Sequence, residues 1–213
     1  MYTIVVANPK GGSGKTTLAT NVAGWLAGKR QRVAIADQDP QGSASEWLAR
    51  RPALFPGVAA APGEAKRRDL EELELKWLVV DSPAGLHGDG LRETVRRADA
   101  ILVPVSPSAF DMAATARFLD TIAEYKAVRE HALPVALVGM RVDSRTLAAG
   151  ELDEFAQTRE FPHVTNLRNT QVYVHCARDG LSVFDLPRSR AEQDQEQWRP
   201  LTRWIARHAT GRA

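Results

Sequence analysis

Cysteine is almost missing from this 213-residue chain: Cys176 stands alone. That excludes an intrachain disulfide and a cysteine-ligated zinc or iron–sulfur centre built within one chain, and it fits a reducing compartment. No apolar run is long enough to span a bilayer, and no charged-then-apolar leader precedes the first apolar segment, so a soluble, cytoplasmic protein is expected. A dominant charge is lacking as well. With 28 lysines and arginines against 26 acids, the chain as a whole has no strong pull toward nucleic acid or lipid. From Arg141 onward lysine disappears, and every basic residue other than histidine is arginine. Arginine's planar fork suits phosphate contacts, but a GC-rich coding bias leaves the same pattern. The length suits one α/β domain with a full core, and residues 1–213 are read as that single domain.

What the chain does have is a glycine loop in an informative place. The apolar residues 4–7 lead into Asn8-Pro9-Lys10-Gly11-Gly12-Ser13-Gly14-Lys15-Thr16-Thr17, after which Leu18, Val22, Trp25 and Leu26 recur on one helical face. The order is strand, loop, helix. Gly11, Gly12 and Gly14 let backbone N–H groups turn inward around an anion, the following helix aims its positive end at the same point, and Lys15 adds a full charge for the β- and γ-phosphates. Thr16 offers a hydroxyl to Mg²⁺, and Ser13 and Thr17 complete the loop that would cradle the nucleotide. A standard Walker A motif carries glycine where this chain has Pro9 and has no counterpart of Lys10.

Two further strand ends carry acids. Residues 33–36 run into Asp37-Gln38-Asp39-Pro40-Gln41-Gly42, which places two carboxylates at alternate positions on the loop side of a parallel sheet. They could bind a water of the magnesium shell or orient an attacking water, although an Asp-Pro turn that caps a helix reads the same way. Trp77-Leu78-Val79-Val80-Asp81 has the shape of a Walker B strand, whose last residue reaches Mg²⁺ through water. Ser82-Pro83-Ala84-Gly85 follows, with a glycine suited to carry its N–H toward a γ-phosphate. His87 reads as an exposed loop residue.

The pattern Lys10-Gly11-Gly12-x-Gly14-Lys15-Thr16-Thr17 resembles the deviant Walker A motif of the ParA/MinD family of P-loop ATPases. The segments 37–42 and 82–85 are similar to that family's switch I and switch II, and residues 165–185 resemble its C-terminal region. The resemblance implies a P-loop α/β fold, a doubly wound, mainly parallel sheet with helices on both faces. It implies ATP and Mg²⁺ as cofactors, and a homodimer closed around ATP in which Lys10 reaches the partner's phosphates. By the same carry-over Asp39 positions the hydrolytic water, while Asp37, Thr16 and Asp81 support the metal. The implied cycle is ATP-dependent, non-specific binding of double-stranded DNA on the nucleoid, ended by hydrolysis that a ParB-like or other partner protein stimulates. Many family members have asparagine at the end of a strand, in a pattern like Asn-Arg-Val-Asp, to read adenine. This chain has Met140-Arg141-Val142-Asp143, so the usual amide contact is missing there.

The remaining stretches are less specific. Residues 58–61 read as an edge strand, and Lys66-Arg67-Arg68 as the solvated face of a polar helix ending near Leu75. Residues 100–105 and 133–140 read as strands. Phe110, Ala114, Phe118, Ile122 and Tyr125 form a helical apolar stripe expected to lie in the core. No helix-turn-helix precedes the first strand, so operator recognition is not expected. Arg141, Arg145, Arg168, Arg188 and Arg190 are the candidate DNA-phosphate contacts. At the C-terminus Trp198, Leu201, Trp204 and Ile205 share one helical face opposite Arg199, Arg203 and Arg207. That pattern suits docking on the sheet, the favoured reading without stable membrane association, and also a MinD-like lipid-binding helix. A metabolic P-loop enzyme with a small-molecule acceptor is the other alternative.

Overall fold

The computed structural model describes residues 1–63, 70 and 74–208. Short runs rich in Val, Ile, Leu and Ala form the five inner strands because both faces of each are covered, which removes the polar alternation of a half-exposed sheet, while the two edge strands are partly exposed. Among the described residues the strands are β1 (Tyr2–Val6), β2 (Val33–Asp37), β3 (Ala59–Ala61), β4 (Trp77–Asp81), β5 (Ala100–Val105), β6 (Val135–Val142) and β7 (His163–Arg168). They form one sheet in the order β3-β2-β4-β1-β5-β6-β7, and every pairing is parallel. The helices are α1 (Lys15–Gly28), α2 (Ser43–Arg50), α3 (Gly88–Arg97), α4 (Ala109–Ala123), α5 (Lys126–Arg129), α6 (Leu147–Gln157), α7 (Gln171–Asp179) and α8 (Arg188–His208).

Alternation within each strand divides the core in two. Tyr2, Ile4 and Val6 of β1 with Trp77 and Val79 of β4 point to the face covered by α1, α2, α7 and α8. Val5, Leu78 and Val80 point to the other, against α3, α4 and α6. From β1 the chain moves toward β2 on one side and later crosses to β5 on the other. The loop after β1 therefore lies where the winding reverses, the crevice in which such sheets bind ligands.

The expected fold class is the observed one, and the edge strand is present as β3. Trp198 and Leu201 are fully buried, with Trp204 and Ile205 close behind, so the apolar side of α8 docks on the sheet. That helix starts earlier than its apolar stripe, at Arg188, bends where Ala191 leaves helical geometry, and keeps Pro200 in its interior. Two expectations need correction or limits. Phe110 is not a core residue: it opens α4 and is 82% exposed, while Phe118 and Ile122 carry that helix's core contact. The basic triplet Lys66-Arg67-Arg68 lies outside the described residues. No helix among the described residues is long and apolar enough to cross a membrane.

Candidate functional site

The loop after β1 is shaped by its glycines. Gly12 (φ 74°) and Gly14 (φ 97°) both lie in the left-handed region, and Gly14 is the residue from which α1 starts. A side chain at either would strain the turn. Asn8 roots the loop: it is 1% exposed, donates from Nδ2 to Pro104 O (2.8 Å) and Thr115 Oγ1 (2.9 Å), and accepts from Lys10 N (2.9 Å). Sequence reasoning passed over this residue, although a polar amide between an apolar strand and a glycine loop was a visible signal. Gly11, Gly12 and the Lys10 side chain are exposed, whereas Ser13 and Lys15 are buried.

Three strand ends converge beside the loop. The register sets Asp81 of β4 opposite both Val6 of β1 and Asp37 of β2. Thr16 Oγ1 donates to Asp81 Oδ2 at 2.6 Å, joining the first turn of α1 to the end of β4. Burial pushes the Asp81 carboxyl up to about 6; Thr16 opposes this, and Asp37 and Asp39 reinforce it. Burial also lowers the Lys15 ammonium below its ordinary range, against the pull of Asp81 and Asp39. Lys15 Nζ donates to Lys10 O at 3.2 Å, and Gly85 N to Pro9 O at 2.8 Å. Both donors are thus held on the loop itself.

Asp37 is committed locally, since its carboxylate accepts from Ser45 N (2.7 Å) and from Asp39 N (3.2 Å). It thereby caps the start of α2, the helix-cap role left open beside the metal role. Asp39 accepts from Gln41 N at 3.0 Å and is half-buried. Thr17 supplies its carbonyl to Asn21 Nδ2 at 2.8 Å within α1. Asp81 Oδ1, Ser13 Oγ and Ser82 Oγ are buried without a hydrogen-bond partner. Buried polar atoms are nearly always satisfied, so unpaired oxygens on the glycine loop and at the end of β4 fit a site that binds a cation and an anion.

The five arginines named for DNA are placed differently from one another. Arg145 is bidentate to Asp143, Arg168 bidentate to the buried Asp194, and Arg188 pairs with Glu192 one turn along α8. Arg190 is exposed. Arg141 lies on the glycine loop, donating from Nη2 to Gly12 O at 2.7 Å. A cavity of about 630 Å³ opens near the ends of β6 and β7, lined by Asp143, Arg145, Asn166, Arg168 and Asn169 among others. Met140 is buried, its side chain against Gly14.

The family model described as the CobQ/CobB/MinD/ParA nucleotide binding domain matches residues 4–173, from β1 through the start of α7. The chain belongs to this family. Among relatives of the CobQ/CobB/MinD/ParA domain, it is 32% identical over 210 residues to the maintenance of carboxysome distribution protein A of Gloeobacter kilaueensis, covering 96% of this chain and 94% of that one. It is 30% identical over 186 residues to the chromosome-partitioning ATPase Soj of Thermus thermophilus, covering 70% and 73%. The ATP complex of an aspartate-to-alanine variant of Cyanothece McdA superposes with a TM-score of 0.69 over 100% of this chain and 98% of that one, at 16% identity. The ParA/MinD resemblance of the glycine loop and the doubly wound sheet are therefore properties of the family to which the chain belongs.

Proposed function

We propose that the chain is a Mg²⁺-dependent ATPase of the ParA type, which pairs with a second copy around two ATP molecules and positions a cargo in the cell. The observation that carries this reading is the junction at Thr16 and Asp81, where a hydroxyl and a carboxylate meet at 2.6 Å beside Lys15 and a second carboxylate oxygen is left without a partner. The glycine loop and the start of α1 bind the phosphates, and Lys15 neutralises their charge. Thr16 and Asp81 would hold Mg²⁺, which when bound supplies charge neutralisation to the phosphates. Asp39 orients the attacking water. Lys10, exposed and with no carboxylate within ion-pair distance among the described residues, is presented for contact with the partner copy's nucleotide.

The ATP-bound dimer binds double-stranded DNA without sequence preference and is released after hydrolysis stimulated by a ParB-like or other partner protein. The relatives named for carboxysome distribution and chromosome partitioning support cargo positioning. The buried apolar side of α8 favours this cycle over one that uses that helix on lipid. Sedimentation velocity with ATP and Mg²⁺ tests the proposal. Asp39→Ala is expected to bind ATP and accumulate as a dimer with hydrolysis lost, and Lys15→Gln to stay monomeric without binding nucleotide. Hydrolysis by Asp39→Ala at the wild-type rate would remove Asp39 from its role.

A further inference from the structure

The bulge that ends β6 turns an arginine onto the phosphate loop. Gly139 pairs with Asn166 and Val142 with Arg168, so Met140 and Arg141 together stand opposite Leu167 alone. One extra residue in a ladder bends the strand and re-aims its side chains. Here Met140 packs inward against Gly14, and Arg141 adopts φ 56°, a left-handed conformation disfavoured for a residue with a Cβ. Backbone of this kind persists where the surroundings hold it in place, and it clusters at functional sites. The surroundings are specific. Arg141 Nη2 lies 2.7 Å from Gly12 O and 2.7 Å from Ser106 Oγ, so one nitrogen joins the glycine loop to the ends of β5 and β6.

Gly11 and Gly12 have open space where a Cβ would be, so the crest of the loop receives little packing support. The other described anchors grip its base: Asn8 on Lys10 N, Lys15 on Lys10 O, and Gly85 on Pro9 O. Arg141 is the anchor on the crest. Among the described residues no carboxylate lies within ion-pair distance of it, and Nε and Nη1 remain as spare donors. We infer that Arg141 is a positioning residue for the phosphate loop: it fixes the Gly12 peptide in the orientation that receives a polyphosphate and adds an uncompensated positive charge beside it. This rests on the proposed binding of ATP, and it withdraws Arg141 from the DNA-contact set.

The test is calorimetric titration of ATP with Mg²⁺ into wild type, Arg141→Gly and Arg141→Lys, with the Tm of each nucleotide-free protein and its retention on double-stranded DNA. Arg141→Gly keeps the left-handed backbone available, so its Tm is expected within about 2 °C of wild type while its Kd for ATP rises about tenfold, as for loss of a charge-assisted hydrogen bond. Lysine keeps the charge without the double contact and should recover part of that loss. Wild-type affinity for ATP in both variants overturns the inference, and a fall in DNA retention alone would assign Arg141 to the DNA surface. If Arg141→Gly does not fold, Arg141→Lys decides: weakened ATP binding supports the inference and unchanged binding overturns it. Wild-type protein that binds no ATP would overturn the proposed function along with it, whereas unchanged variants overturn this inference alone.

Discussion

At Asp81, burial and two neighbouring carboxylates favour the neutral acid, whereas holding a cation requires the ion. With its pKa raised from 3.8 to about 6 in the folded chain, Asp81 contributes stability that is fully present below about 3.8 and lost as pH rises through about 6. Asp81→Asn is neutral throughout. In the absence of nucleotide it should therefore be more stable than wild type at pH 8, on the order of 2–3 kcal/mol, with the difference closing as pH falls toward 4. Thermal melts of both proteins across that range check the sign, and a gap that widened toward acid would contradict it. Nucleotide affinity should move the opposite way, with Asp81→Asn weaker at every pH. That the glycine loop and the acid ending β4 meet was legible, because a strand–glycine-loop–helix order and an apolar run closed by an acid are local patterns. The contact of Arg141 with Gly12 was not, because it depends on a bulge that no local pattern announces.

Among the elements, a buried clasp joins the end of α2 to the segment before α8. Arg51 makes a bidentate pair with Asp185, donates to Gly180 O, and lies over the Trp47 ring with 5.0 Å to its centroid. Both charged side chains are almost fully buried, at 5% and 3% exposure. Removing one partner strands the other charge, so Arg51→Ala should lose about 3–5 kcal/mol by denaturant titration. Arg188→Ala, which opens the exposed pair with Glu192, should stay within about 1 kcal/mol. Equal losses for the two would mean that the clasp is solvated.

Other elements show where reading the sequence reached its limit. The buried strands β1, β2, β4, β5 and β6 were visible as apolar runs. β7 was not: His163-Val164-Thr165-Asn166-Leu167-Arg168 is mostly half-buried at the sheet edge and lacks such a run. α3 begins with glycines at 88 and 90, which weaken any local helix signal. Phe110 belonged to a helical stripe by spacing, yet the first turn of α4 lies at the exposed loop edge, so its periodicity had no core to face.

At the scale of the whole molecule, the parallel sheet sets the loop after β1 and the ends of β2, β4, β5 and β6 along one edge, and the proposed cycle depends on what that edge meets. A net charge of +2 gives a single copy little hold on DNA, so in the proposed cycle binding arises from pairing two copies around ATP. The direct test is retention on double-stranded DNA of unrelated sequences with ATP, with ADP and without nucleotide, across a salt series. The account predicts retention with ATP alone, independent of sequence and weakening steeply as salt rises. Retention unaffected by nucleotide, or none with ATP at low salt, would contradict it.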